Sequence, residues 1–464
     1  MLDCVIDVDK WANQVFGSCQ LGDARRTKRL VDVAKRHALT PSAAPLEACE
    51  GDIGATEGAY RLIRNQKISP NAIADGGFSA TAQIAAKQEG IILALEDTTS
   101  LSFPHAASDL GCVGGKNNIM RGFNVHSVML LAESGMPIGL IEQERWKRNP
   151  ATFGIGKFAR FRDYKDKESF KWQRASERVA EKLGSTMSRT ISICDREADI
   201  YNYLAYKLDH NQRFVVRAVR NRRLKERSKN KLFEKLRSNT VLGIREINLP
   251  QQGGYPARKV RLEIRSELVT LAFPEGMRRG RTKRINIWAV HAREQVPKNE
   301  EDVLEWFLLT SENAESFAQA DQIVNIYAKR WCIEDFHKAW KSGTKVEERR
   351  MQTADNLERM SVILAFVAVR LLQLRRLVNI KPTAKCTQVL KKDEWKCLWV
   401  SVEKKKLPDK TPSVKWAYYA IAKLGCWIDT KRTGRVGWKA MWKGLSRLND
   451  KVEAIKIAQE CLEM

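Results

Sequence analysis

Along the first eighty residues, apolar positions recur at helical spacing in short segments. In GDARRTKRLVDVAKRHA (22–38), Leu30, Val31 and Val33 ride among Arg25, Arg26, Lys28, Arg29, Lys35 and Arg36, which predicts a basic amphipathic helix in a small helical domain. From residue 89 the pattern changes. GIILALEDTTS holds a five-residue apolar run that fits a buried strand, and NVHSVMLLAESGMPIGLIEQERW reads as two strands joined at Glu-Ser-Gly. SFKWQRASERVAEKLG (169–184) restores helical spacing, RTISICDREADI returns to a strand, and a helix near 199–209 and the strand RFVVRAV follow. This order predicts a mixed α/β layered sheet. Residues 220–300 alternate β-like runs (ARKVRLEIRSELVTLAF, RINIWAVHAR) with Gly/Pro turns and read as a β-rich insertion. EWFLLTS (305–311) returns to the core, long helices are predicted over 314–342 and 355–377, and the Lys- and Trp-rich tail from 380 reads as helical.

Composition narrows the partner. The 464 residues are 43% apolar, enough for real cores and for about two to four domains. Lys and Arg number 81 against 55 Asp and Glu, a net charge of +26, and residues 211–300 alone hold 23 against 8. Such an excess favours a polyanion, with nucleic acid the first candidate, although a solvated surface would carry charge as well. Ten scattered Cys show no CxxC and no His at zinc-like spacing, so neither a disulfide framework nor a zinc site is expected, and free thiols suit a reducing cytoplasm. The N-terminus lacks a basic region followed by an apolar one, and the longest apolar run, VILAFVAV (362–369), is too short to span a bilayer. Neither secretion nor membrane insertion is expected.

Candidate chemistry sits in three places. Asp97 closes IILALED and Asp195 closes ISICD; ligand sites in open α/β sheets lie outside the carboxyl ends of strands, although Asp also forms turns and helix caps there. The third place is VNIYAKRWCIEDFHKAWKSG (324–343). Read as one helix at about 100° per residue, Tyr327, Arg330, Glu334 and Lys341 fall within an arc of about 60°, with Lys338 beside them and Ile326, Ile333, Phe336 and Trp340 opposite. An ordinary amphipathic helix with an Arg330–Glu334 pair, contributing only about 0.2–0.5 kcal/mol, fits the same spacing. Three carboxylates on a basic protein suit two Mg²⁺ ions acting on a phosphodiester. GxSxG, P-loop, GxGxxG and HExxH motifs are all missing. The six His read as surface or packing residues, with His337 on the helix beside the site. Taken alone, the residues point to a two-metal nuclease or strand-transfer enzyme.

A resemblance sharpens this. Tyr327, Arg330, Glu334 and Lys341 have the Y-x2-R-x3-E-x6-K spacing of bacterial cut-and-paste DDE transposases of the insertion-sequence-four family. EDTTS (96–100) and CDREADIYNYL (194–204) resemble that family's two Asp motifs, and LGDARRTKRL (21–30), EGAYRLIRN (57–65), WFLLTSE (306–312) and DNLERMSVILAFVAVRLLQLR (355–375) are similar in the same order. The resemblance implies a ribonuclease-H-like core (81–375, with the insertion at about 220–300) between a DNA-binding domain (1–80) and a C-terminal dimerisation domain (376–464). It implies a metal-binding catalytic triad of Asp97, Asp195 and Glu334, served by two Mg²⁺ ions with Mn²⁺ able to substitute. Tyr327, Arg330, Lys338, Lys341 and Arg217 would contact DNA, Trp306 would help hold a flipped base, and Arg25, Arg26 and Arg29 would read the end. Implied partners are double-stranded DNA (inverted-repeat ends and target) and a second copy of the chain, in the bacterial cytoplasm at the nucleoid. Two alternatives stay open: a ribonuclease-H-like structure-specific nuclease without joining, and a non-catalytic DNA-binding derivative.

Overall fold

The computed structural model describes residues 7–105, 109–114, 120–148, 163–225, 231–249, 258–273, 284–295, 303–430 and 436–463. Parts of the predicted insertion, at 226–230, 250–257, 274–283 and 296–302, therefore lie outside the described residues. Four of the N-terminal helices, Val8–Phe16, Ala24–Leu39, Ile53–Arg64 and Pro70–Ala86, each follow an Asp or Ser (Asp7, Asp23, Asp52, Ser69) whose side chain accepts a first-turn backbone N–H. These residues define the helix starts because they satisfy amides that have no partner within the helix.

One ten-stranded sheet organises the rest. Its strands are β1 (Ile92–Ser102), β2 (Gly111–Gly114), β3 (Met120–Ala132), β4 (Pro137–Trp146), β5 (Thr190–Cys194), β6 (Arg213–Arg217), β7 (Gly243–Leu249), β8 (Arg258–Leu271), β9 (Ile285–Glu294) and β10 (Glu305–Thr310). They run in the order β2-β3-β1-β5-β6-β10-β9-β8-β7, with β4 also on β3. β1, β5 and β6 are parallel, and the other pairings are antiparallel. With helices on the flanks and at both ends of the chain, this is the expected mixed α/β, ribonuclease-H-like architecture. The predicted insertion is no separate layer: β9 hydrogen-bonds along β10, so the basic β-rich segment extends the same sheet.

Strand alternation sorts residues between the two faces. Leu93, Leu95, Ile191, Ile193, Val215 and Leu308 join the main core on one face, whereas Cys194, Phe214, Val216, Phe307 and Leu309 join a second cluster on the other. Helix Ala354–Ile380, longer at both ends than the predicted 355–377, is buried along most of its length and packs on β4, on the Pro70–Ala86 helix and on the Ala24–Leu39 helix. Its apolar character all round is that of a central core helix. The tail is helical as expected, with Lys392–Glu403, Val414–Leu424 and Trp438–Glu463 sharing a third apolar cluster.

Candidate active site

Asp97 does not end its strand. β1 continues to Ser102 because β3 pairs with it over its whole length, Asp97 lying opposite Ser127. The parallel ladder to β5, however, ends at Glu96–Cys194, so Asp97 stands one residue beyond it. Asp195 follows β5 directly and accepts the Glu197 N–H at 2.9 Å, capping a short 3₁₀ turn, Arg196–Ala198. Both aspartates thus flank the carboxyl end of the parallel pair, on the face of Leu95 and Ile193. Glu96 points the other way and is buried beside His126.

The predicted single helix over 314–342 is broken. It runs as Phe317–Ala328, a tight turn, Trp331–Lys338 and a π-helical segment, Ala339–Gly343. At the turn the backbone bonds shorten to i→i−3, with Arg330 N–H donating to Tyr327 O and Ile333 N–H to Arg330 O. One regular wheel therefore does not describe the segment. Its apolar side is core as expected: Ile326, Ile333, Phe336 and Trp340 are all buried.

The polar residues separate into groups. Arg330 is buried, donates to Glu334 Oε1 at 2.5 Å and lies 3.8 Å from Asp97 Oδ2. Tyr327 is buried too, packed edge-on against Trp306 with ring centroids 5.2 Å apart and hydrogen-bonded to Arg217. Arg217 also donates to Glu305 O at 3.2 Å. Lys341 reaches β1, donating to Ser100 O at 2.6 Å, while Lys338 is exposed. Asp97, Asp195, Glu334, Arg330, Tyr327, Arg217 and Trp306 are thus brought to one face of the sheet. In the N-terminal domain, Arg25 is exposed and paired with Asp23, Arg26 donates to Leu21 O, and the Arg29 guanidinium lies across Gly58, where any side chain would meet it.

Electrostatics mark the same spot. Burial, then the nearby Asp195 and, more weakly, Glu334 push the Asp97 carboxyl from 3.8 up to about 7, with Arg330 opposing. Burial likewise raises Asp195, against the Glu197 amide. Burial pulls the Arg330 guanidinium down, yet Tyr327, Glu334 and Asp97 around it leave it above its ordinary value. His337, assigned no role from sequence, stands 3.8 Å from Asp97 and is held neutral by burial, near 3. Glu347 was missed: its Oε1 accepts Ser102 N–H at 2.8 Å and lies 3.7 Å from Lys341. Helical spacing had put His337 beside the site, but nothing local in the sequence announces Glu347.

Among the described residues, no three carboxylate, imidazole or thiol groups are drawn closely enough together to hold a metal ion, and Glu334 is turned onto Arg330. The donor set nonetheless fits a hard divalent cation, because clustered carboxylate oxygens suit Mg²⁺ and Mn²⁺ and the charge crowding at Asp97 is what a cation would relieve. Asp97 is disfavoured as an anion in the fold: the cost is absent below about pH 4, grows as pH rises towards 7 and is complete above it. Asp97→Asn should therefore stabilise the metal-free protein at pH 8 by roughly 3 kcal/mol, allowing for partial exposure, and change it little at pH 4. Equal melting shifts at both pH values would remove Asp97 as the strained group.

Three family models match the chain: Transposase DNA-binding over residues 8–68, Transposase DDE domain over 176–370 and Transposase Tn5 dimerisation domain over 364–464. The class these define is a DDE transposase, a DNA-cleaving enzyme of the metal-dependent kind. More particularly, the chain carries transposase DNA-binding, DDE and dimerisation domains, the last of the Tn5 type, so DNA and a second copy of the chain are its partners. Among the described residues, no helix is long and apolar enough to cross a membrane.

Proposed function

We propose that the protein excises a mobile element by cut-and-paste transposition, with the Tyr327, Arg330, Glu334 and Lys341 signature at its centre, in the manner of the transposase of the bacterial composite kanamycin-resistance transposon, which it resembles. The observation that carries this reading is the gathering of Asp97, Asp195 and Glu334 around Arg330 on one face of the sheet. In it, water attacks the phosphodiester at the element's end and frees a 3′-OH. That hydroxyl attacks the opposite strand to give a hairpin, the hairpin is opened, and the ends are joined to target DNA.

Asp97, Asp195 and Glu334 hold the metal, Mg²⁺ or Mn²⁺ and two ions in the full site. Bound there, these ions supply Lewis acidity and lower the pKa of water. Arg330 neutralises the carboxylates in the DNA-free protein, and with Tyr327, Arg217, Lys338 and Lys341 it grips the phosphate backbone. Trp306, buried against Tyr327 without DNA, stacks on a base turned out of the duplex. Arg25, Arg26 and Arg29 read the end, the C-terminal helices pair two copies, and the enzyme works in the bacterial cytoplasm. The domain limits are those of the sequence reading, 1–80, 81–375 and 376–464.

The test incubates the protein with Mg²⁺, a duplex carrying the terminal inverted repeat found beside its gene, and a supercoiled plasmid. Joined products support transposition; nicks without any joined product favour a nuclease instead. End binding should also weaken steeply with salt, by about 10³-fold or more between 50 and 200 mM if six or more phosphates are contacted. A nearly flat salt dependence, read by anisotropy, would contradict the proposed backbone grip.

A further inference from the structure

Four arginines from the catalytic part of the chain donate to backbone carbonyls at the carboxyl ends of the N-terminal helices. Arg370 donates to Ala38 O, in the last turn of Ala24–Leu39. Arg359 donates to Ile63 O and Ile68 O, at the end of Ile53–Arg64. Arg189 donates to Ala85, Ala86, Gln88 and Gly90 carbonyls, at the end of Pro70–Ala86. Arg349 donates to Pro41 O at 2.8 Å and to Ala43 O, just past the Ala24–Leu39 helix. Terminal helix carbonyls lack intrahelical donors and carry the negative end of the helix dipole, so a buried guanidinium is a fitting partner.

Arg349 differs from the other three in what else it holds. Its Nη2 also donates to Thr344 O at 2.6 Å. Thr344 closes the π-helical segment that carries Lys341, its N–H bonded to Ala339 O and its hydroxyl to Trp340 O. Two residues before Arg349, Glu347 accepts Ser102 N–H, and Lys341 donates to Ser100 O on the same strand. β1 is the strand of Asp97. Hydrogen bonds and the short chain between them thus link the segment just past the basic N-terminal helix, through Arg349 and the 344–349 turn, to the strand of Asp97. Arg349 itself is buried, and it touches neither the carboxylate cluster nor the exposed face of that helix.

We infer that Arg349 is a positioning residue that couples recognition of the DNA end to the cutting strand, fixing β1 and Lys341 relative to the helix that reads the duplex. This rests on the transposase reading above. The test uses the full chain and the inverted-repeat duplex from beside its gene. End affinity is measured by anisotropy without divalent metal, and nicking under single turnover with Mg²⁺ at saturating protein.

Arg349→Met should keep end affinity within about threefold while slowing nicking of bound DNA about tenfold or more, with Arg349→Lys recovering part of the rate. A merely structural contact would lower affinity or melting temperature and leave the rate of the bound complex alone; that outcome, or unchanged nicking, overturns the inference. If Arg349→Met no longer gives a folded melting transition, Glu347→Ala decides on the same readout, since it leaves Arg349 on residues 41–43 and removes the bond from the 344–349 turn to Ser102 of β1. Slower nicking at unchanged affinity then supports the coupling, and unchanged nicking overturns it. Wild-type protein that binds the end but never nicks would sink the proposed function itself, an outcome distinct from a variant that nicks as fast as wild type.

Discussion

Asp97→Ala, Asp195→Ala and Glu334→Ala are each expected to slow end nicking by about 10³-fold or more while leaving end binding within about threefold. The size follows from the division of labour in the site. In the proposed reading, binding rests on cations spread over the basic N-terminal helix, the sheet extension and the signature segment, so losing one carboxylate would remove no phosphate contact. Cleavage would then depend on charge neutralised at one phosphodiester, with each carboxylate acting there as part of a unit. Single losses should therefore be nearly as severe as double ones, because residues acting as a unit are far from additive. Nicking by gel and binding by anisotropy, on the same preparations, check both halves. A triad variant that nicks within tenfold of wild type would remove that residue from the site.

The second large effect is on stability. Trp340→Ala should destabilise the protein by about 3–5 kcal/mol, the usual cost of a large cavity in a packed core. Trp340 is fully buried, stacks on Phe336 with centroids 5.6 Å apart, and donates its indole N–H to Ser361 O at 3.1 Å. It therefore pins the π-helical segment to the central helix, and its loss leaves a void and removes the hydrogen bond to Ser361 O. Lys341 sits on that segment, so DNA contacts should weaken along with the fold. Trp340→Phe, which keeps most of the volume, should recover most of the stability. Chemical denaturation of the three proteins is the measurement, and a loss under about 1 kcal/mol for Trp340→Ala would show that the segment is not held as described.

Much of this was legible in the sequence because the signals were local. Five apolar residues ahead of Glu96 and Asp97, and Ile191, Ile193 and Cys194 ahead of Asp195, make buried strands whatever surrounds them, and alternation then puts both aspartates on one face. The apolar side of the signature helix was equally readable, since Ile333, Phe336 and Trp340 follow its period. What failed was what depends on distant chain. β1 runs past Asp97 only because β3 supplies partners as far as Gly122, and no pattern near residue 97 reports that. The signature helix breaks at 329–330, where Lys329 bonds to Glu133 O and Arg330 is drawn in between Asp97 and Glu334; helical propensity cannot foresee either pull. The basic β-rich insertion was legible as strands, but its place was not: β9 carries it onto the main sheet by pairing with β10, a contact no local pattern reports.

The central claim is that Asp97, Asp195 and Glu334 hold the metal ions that cut DNA. Substituting Asp97 by Cys exchanges a hard oxygen ligand for a soft sulfur one, which Mg²⁺ accepts poorly and Mn²⁺ accepts better. Nicking of the inverted-repeat duplex by Asp97→Cys should therefore be lost in Mg²⁺ and regained in Mn²⁺, with Asp97→Ala inactive in both. Equal nicking by Asp97→Cys and wild type in Mg²⁺, or activity of Asp97→Ala in either metal, would contradict it.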